Sequence, residues 1–504
     1  MKYLFFPLLM TVFSCDAPIE TEIQVPPTLK NVLFIISDDL ATHAVGCYGN
    51  DIIRTPNIDA LAASGVRFER AYANSPMCTP SRATLMTGLY PHNVGVTLLR
   101  TPLADSAYTL AEHLKSYDFS TGIFGKTHFN SGKKHGFDTL VDRHHHRDYL
   151  KKLSDIVLTD TVSHKVRPPW KPFQDSANIW LNADGATSGR PFEHSEGTFF
   201  ANSAIDFIKR HQDERFLAVA SFYEPHSPFN FPIEYQGKYD KATIDLPKTS
   251  QEDNRWIPAI FRGLTEEEKV GITRAYYSSV EYMDRNVGML LTALEELGIA
   301  EETLVVFVGD HGYLLNHHGR FEKHMMWEEA VCTPLIVKGL KENISIEQPV
   351  ELADIVPTIT TALAVEEMSN LHGKALQPII DDPAQTHRDA IFSVYYVDNK
   401  AMVIQDNWKY IFTSGKRDLG DGYATGFAPS SILHRLYDLE NDPQERRDVA
   451  ALSENAERLT QLQQLMLEKF RVTHPYAATI STTLSVDEQL SLFCEPPERR
   501  DGSR

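Results

Sequence analysis

One short stretch concentrates residues that could do chemistry. Pro76-Met77-Cys78-Thr79-Pro80-Ser81-Arg82-Ala83-Thr84-Leu85-Met86-Thr87-Gly88 sets a thiol beside a proline that can open a helix, with an arginine about one turn further on. A cysteine at a helix N-terminus meets free backbone N–H groups, which favour negative charge. Arg82 can point back at residue 78. A buried structural cysteine beside a capping Ser81 would explain neither the proline nor the arginine spacing. Acids come next. Asp38-Asp39 directly follow the run Asn31–Ser37, and Asp310-His311-Gly312 follow Thr303–Val308 in the same way. Ligand sites of α/β sheets lie beyond the carboxyl ends of strands, although an Asp pair after a strand is also a common helix cap.

The Cys78 segment resembles the signature of the formylglycine-dependent sulfatases, within the alkaline phosphatase superfamily. That signature asks for Cys, Pro two residues on, Arg four on, then two apolar residues and a Gly ten after the Cys, and each position is filled here. The resemblance implies that a formylglycine-generating enzyme oxidises Cys78 to an aldehyde (3-oxoalanine), which hydrates to a geminal diol. It also assigns Asp38, Asp39, residue 78, Asp310 and His311 to one divalent cation, usually Ca²⁺. Carboxylate oxygens suit that hard ion. His311 stands where many relatives carry Asn, and imidazole fits Mn²⁺ or Zn²⁺ better. Gly125-Lys126-Thr127-His128 is similar to the second sulfatase signature, departing from it at Thr127 and at Asp118 upstream. Pro225-His226-Ser227-Pro228 resembles the segment carrying the family's third histidine, and Lys323 lies thirteen residues after Asp310, as the family's later lysine does. Leu436 to Pro443 and Trp408-Lys409-Tyr410 resemble the family's C-terminal region, so the resemblance runs from about Asn31 to about Ala450.

The roles this implies are specific. The residue-78 diol is the nucleophile, and Arg82 stabilises its oxygen. The cation, Lys126 and Lys323 neutralise the sulfate oxygens. His226 protonates the leaving oxygen, and His128 takes the proton that releases sulfate. Two further basic runs stand apart: Arg143-His144-His145-His146-Arg147, read as a solvated loop or a fortuitous metal-binding tract ahead of a pocket for further anionic groups of a polymer, and Asn316-His317-His318-Gly319-Arg320, better placed for substrate.

The elements that must position these groups are legible too. Apolar runs at Asn31–Ser37, Ser120–Phe124, Phe216–Phe222, Thr303–Val308 and Pro334–Val337 read as strands covered on both faces. Helices are predicted from Pro56, over Ser106–Lys115, Thr198–His211 and Glu266–Leu297. This alternation predicts an α/β domain over 29–384: a large mixed, mostly parallel sheet sandwiched between helices. From about residue 385 the pattern changes to Ala390–Val397, Ala401–Gln405, Trp408–Phe412 and Arg435–Tyr437, with Asp406-Asn407 as a hairpin turn and a helix over Ala456–Phe470. That reads as a smaller C-terminal α+β domain, 385–504, on an antiparallel sheet, with a tail from Val472 that the pattern leaves unassigned.

The bulk numbers narrow the function. The 504 residues are 42% hydrophobic and 23% charged, with a net charge of −19. That excess of acid argues against nucleic acid as a partner. Met1-Lys2, the apolar Tyr3–Phe13 and Val12-Phe13-Ser14-Cys15 read as an export signal over 1–15 with a lipobox-like end, followed by a tether over 16–28. The expectation is export to the periplasm or cell surface, with a lipid anchor on Cys15 as the membrane link. The five cysteines, Cys15, Cys47, Cys78, Cys332 and Cys494, predict no disulfide framework; Cys47 and Cys332 read as buried small residues. The leading expectation is a sulfuric ester hydrolase acting on a sulfated carbohydrate, with an algal polymer of the ulvan or carrageenan type first. A phosphonate or phosphodiester hydrolase of the same superfamily is the alternative. A non-catalytic glycan-binding relative comes third, because a binding protein needs no modifiable Cys78.

Overall fold

A computed structural model describes residue 1 and residues 29–153, 185–415 and 431–497. The export signal, the tether and Cys15 lie outside the described residues. The strands are β1 (Asn31–Ser37), β2 (Val66–Tyr72), β3 (Phe119–Gly125), β4 (Thr139–Val141), β5 (Gly185–Thr187), β6 (Arg215–Ser221), β7 (Phe229–Phe231), β8 (Thr303–Gly309), β9 (Cys332–Lys338), β10 (Ile344–Ile346), β11 (Val350–Glu351), β12 (Ile391–Tyr395), β13 (Lys400–Gln405), β14 (Trp408–Thr413) and β15 (Leu433–Asp438).

Nine of them form one sheet in the order β10-β2-β9-β8-β1-β6-β3-β4, with β11 also on β2. The centre is parallel: β1 pairs with both β6 and β8, and β6 with β3. Consecutive side chains of a strand face opposite ways, so β1 feeds two cores at once. Leu33 and Ile35 pack beneath the helices Glu196–Arg210 and Glu266–Glu296. Val32, Phe34 and Ile36 pack against the side carrying Leu85, Leu114 and Ile359. This sandwich is the predicted α/β architecture. The run at Pro334–Val337 departs from the parallel reading, because β9 is antiparallel to both β8 and β2. An apolar run buried on both faces looks the same in either direction, so periodicity could not tell. The half-polar β2 gives no apolar run in the sequence, because Arg67, Glu69 and Arg70 interrupt its apolar positions.

β12 to β15 form a separate four-stranded antiparallel sheet in sequence order. Asp406 and Asn407 both adopt positive φ (50° and 60°), the geometry of a two-residue hairpin turn. The helix Ala456–Thr473 packs on this sheet. The unassigned tail contains a further helix, Val486–Phe493, closed by a capping box between Ser485 and Glu488. Its Phe493 ring stacks on Phe470 at 5.1 Å. The helix expected over Ser106–Lys115 begins only at Leu110, because Thr109 caps it and Glu112 returns the bond. All four described cysteines are free; Cys332 is buried and Cys47 only half-buried. Among the described residues no helix is long and apolar enough to cross a membrane.

Candidate active site

The site lies at the carboxyl ends of β1, β3, β6 and β8. Cys78 is the first residue of the helix Cys78–Thr87, all of whose residues are buried. A helix apolar on one stripe would lie on the sheet surface; one buried all round fills the interior and can carry its N-terminus to the centre. The first turn leaves N–H groups unpaired at Cys78. Ser81 and Arg82, on the same turn, fasten the helix to the end of β8: Ser81 Oγ donates to the Asp310 carbonyl oxygen, and Arg82 Nε donates to Asp310 Oδ2 at 2.7 Å.

Arg82 is a hub. One of its Nη atoms donates to Ser221 Oγ at 2.6 Å and to the Lys126 carbonyl at 3.0 Å. The other lies 4.0 Å from Asp38 Oδ1. The sequence aims Arg82 at the residue-78 oxygen; in the structure its hydrogen bonds run to Asp310, Ser221 and the Lys126 carbonyl, and its charge also acts on Cys78. Ser221, at the end of β6, was not foreseen, since a serine closing an apolar strand gives no signal of its own.

Lys126 pairs with Asp38, and Lys323 pairs with Asp39 while its Nζ stands 3.5 Å from Cys78 Sγ. His311 Nε2 lies 3.4 Å from Asp39 and 3.5 Å from Asp310. His128 is held by Thr79 Oγ1 at 3.2 Å, and its ring meets Cys78. His226 follows β6, with its backbone N–H on the Tyr223 carbonyl and its Nδ1 on the Ser227 carbonyl. The fold thus brings all ten candidates together: Cys78, Arg82, Lys126, His128, His226, Lys323, Asp38, Asp39, Asp310 and His311.

Two backbone positions carry strain in the left-handed region, Asp39 at φ 65° and His128 at φ 55°. Gly125 must be glycine: with φ 112° and a hypothetical Cβ 1.9 Å from the Ser221 carbonyl, any side chain there would push Lys126 out of place.

The electrostatics separate the acids. Burial and the neighbouring Asp38 push Asp39 up to about 7 against the pull of Lys323. Burial raises Asp38 as well, but Lys126, His226 and Arg82 outweigh it and hold its carboxyl well below the usual range. For Cys78 burial is likewise overcome, by Lys126 and Lys323, and the thiol sits well below its ordinary value. This is a pocket built for negative charge inside a protein of net charge −19.

The donor set fits a divalent cation. Ligand atoms of Asp38, Cys78, Asp310 and His311 lie within 4.8 Å of one another, as do those of Asp38, Asp39 and His226. Asp38 Oδ1, Asp39 Oδ2 and His311 Nε2 are buried without hydrogen-bond partners. Buried polar atoms are rarely left so unless they serve something else.

The two basic runs fall differently. Residues 143–147 are no loop: Asp142 caps a helix, Arg143–Lys152. Arg143 pairs with Glu196 and stacks 3.5 Å above the Tyr223 ring, while His146 is buried against the His194 carbonyl. In the second run, His318 is clamped by Asp253 and Glu329 and lies flat on Trp327 at 4.0 Å.

A buried thiol at a helix N-terminus, ringed by cations and by carboxylates able to share a metal, defines a hydrolytic centre for an anionic ester. The chain belongs to the sulfatase family: the family model "Sulfatase" matches residues 30–365, and "N-sulphoglucosamine sulphohydrolase, C-terminal" matches 316–472. It is 29% identical to an "Ulvan-active sulfatase" of Formosa agariphila, over 76% of this chain and 71% of the relative. It is 25% identical to an "N-acetylglucosamine-6-O-sulfatase" of Bacteroides thetaiotaomicron, over 91% and 88%. Among solved structures, the phosphonate monoester hydrolase SpPMH from Silicibacter pomeroyi superposes with a TM-score of 0.73 at 21% identity, over 89% of this chain and 97% of that one. The protein is therefore a sulfatase, an enzyme that hydrolyses sulfate esters.

Proposed function

We propose that this sulfatase removes sulfate from a sulfated polysaccharide or oligosaccharide, algal polymers of the ulvan type first, using Cys78 in its formylglycine form. The observation that carries the reading is Cys78 at the N-terminus of its buried helix, 3.5 Å from Lys323 Nζ and beside Asp38, Asp310 and His311. The ulvan-active and N-acetylglucosamine-6-O-sulfatase relatives support the substrate class.

Asp38, Asp39, Asp310 and His311 would hold the divalent cation, Ca²⁺ or, given the imidazole, Mn²⁺. Bound there, it would polarise sulfate oxygens and lower the pKa of a hydroxyl on modified residue 78. Lys126 and Lys323 bind the non-bridging sulfate oxygens and offset charge as the S–O bond breaks. Arg82 fixes the helix and Asp310 against each other, so the nucleophile and the cation site keep one geometry. Burial lowers the His226 imidazole to about 3, with Lys323 and Lys126 adding to that against the pull of Asp38. The negative charge of a bound sulfate ester favours the protonated imidazole, and in that form His226 would deliver its proton to the leaving oxygen. Burial and Lys126 also keep His128 below its usual value, neutral and able to accept a proton.

Export belongs to the same proposal, because a polymer is met outside the cytoplasm. The apolar run ending in Cys15 supports a periplasmic or cell-surface enzyme tethered by lipid. His311 favours a phosphonate or phosphodiester hydrolase as the second reading.

The test is mass spectrometry of the peptide containing residue 78, from protein made with a formylglycine-generating enzyme, followed by desulfation assays on sulfated oligosaccharides beside a phosphonate monoester. Replacement of the thiol mass by the aldehyde, with saccharide turnover lost in Cys78→Ala, is expected. An unmodified thiol, or near-normal rates in Cys78→Ala, overturns the mechanism. Faster phosphonate than sulfate hydrolysis overturns the substrate class.

A further inference from the structure

Immediately behind Lys323 the same loop carries a second group of charges. Arg320 pairs with Glu322 and donates to the Trp256 carbonyl. Met325 Sδ lies 3.6 Å from Lys400 Nζ, and Lys400 pairs with Asp398 at 2.7 Å. Arg435, on β15, lays its guanidinium 4.5 Å above the Trp256 ring and 5.8 Å from the Trp327 ring. Arg320 and Arg435 thus meet at Trp256, and burial lowers the Lys400 ammonium, a shift that Arg435 and Arg320 deepen against the pull of Asp398.

The charges there do not balance. Glu322 pairs with Arg320 and Asp398 with Lys400, while among the described residues no acid forms an ion pair with Arg435. It is 1% exposed, and none of its Nε, Nη1 and Nη2 has a hydrogen-bond acceptor; Arg320 Nε also lacks one. Glu252 feels Arg435, but its Oε2 accepts the Asp448 N–H at 3.0 Å, and no ion pair joins it to Arg435 among the described residues. A buried guanidinium without acceptors is strongly unfavourable. Its fork of donors matches an oxyanion presenting two oxygens in one plane. On the outer side, His324 is partly exposed and lies 5.5 Å from the Tyr395 ring, and Lys400 Nζ lies 5.7 Å from the same ring. Lys323 and Met325 are two residues apart, at most about 7 Å of chain, so the loop that carries Lys323 to Cys78 also reaches Lys400.

We propose that Arg435, flanked by Arg320 and Lys400, is a subsite for a second anionic group, a sulfate or a carboxylate, on the same saccharide whose scissile sulfate meets Lys323. This rests on the saccharide sulfatase reading and makes the C-terminal sheet a determinant of which saccharides are taken.

The test is calorimetric binding to the Cys78→Ala protein, which cannot turn substrate over. The probes are heparin- and ulvan-derived oligosaccharides in matched pairs that differ by one sulfate or, after carboxyl reduction, by one carboxylate. A second anion is expected to tighten binding at least tenfold in one set of pairs, and which set responds identifies the anion. Adding Arg435→Met removes that advantage and leaves the singly sulfated probe within twofold. It also raises the ligand-free thermal midpoint, because an apolar side chain replaces an unpaired buried charge. Lys400→Met, a milder change, reduces the same advantage. The proposal is overturned if no pair shows an advantage, if the advantage survives Arg435→Met, or if both probes weaken equally while the midpoint falls. Turnover by the unmutated enzyme is scored separately: an Arg435-dependent binding advantage without desulfation refutes the hydrolase reading and upholds the subsite.

Discussion

Replacing Arg82 with methionine separates the frame of the site from its chemistry. The side chain is 3% exposed and bonds Asp310 at 2.7 Å, with two further hydrogen bonds to Ser221 and the Lys126 carbonyl. Removing one partner of a buried ion pair leaves the other charge uncompensated and costs about 3–5 kcal/mol. Arg82→Met should therefore lower the denaturation midpoint by that equivalent and cut turnover by at least about 10². Burial already raises the Asp310 carboxyl, and Arg82 opposes that rise, so the variant's Asp310 moves further up. A carboxyl raised in the folded state favours folding at low pH and loses that contribution as pH rises through its folded pKa. The deficit of the variant should accordingly be larger at pH 8 than at pH 5. Adding Asp310→Asn removes the stranded charge and should recover about 2 kcal/mol without restoring turnover. The measurement is urea denaturation followed by tryptophan fluorescence, with sulfate release assayed on the same samples. A single variant within about 1 kcal/mol of the parent, or a double variant no more stable than the single, would refute the claim that Arg82 works through Asp310.

Three other outcomes are expected. Burial lowers His318, but Asp253 and Glu329 overcome it and raise the imidazole to about 9. Its roughly 3 kcal/mol of stabilisation is thus present below the unfolded pKa of about 6.5 and fades as pH rises through 9; His318→Asn should flatten thermal midpoints across that window, and an unchanged slope would contradict the clamp. Chelation should reduce both activity and thermal midpoint, with Ca²⁺ or Mn²⁺ restoring them; full activity after exhaustive chelation would remove the metal from the reading. Lys126→Ala and His226→Ala should each nearly abolish turnover while near- and far-ultraviolet circular dichroism stay as in the parent, and retained turnover in either would reassign its role.

Sequence alone carried this protein as far as its family and the class of reaction. The Cys78-to-Gly88 spacing, the acids after two strand-like runs and the later lysines and histidines are local patterns, set by helix-start and strand-end geometry and readable one residue at a time. The Asp406-Asn407 turn was legible for the same reason: two positive φ angles need those residue types. Ser485 and Glu488 also spell out a helix start, within the tail that the alternation of elements leaves unassigned. What only the tertiary structure decided are the partners. Arg82 turns to Asp310 and Ser221, residues 228 and 139 positions away, because the central helix end happens to face the ends of β6 and β8. The direction of β9, the helix at 143–152 and the unanswered charge of Arg435 are likewise outcomes of packing. A charge is satisfied or stranded by what the fold brings within about 4 Å of it, and no pattern along the chain records that distance.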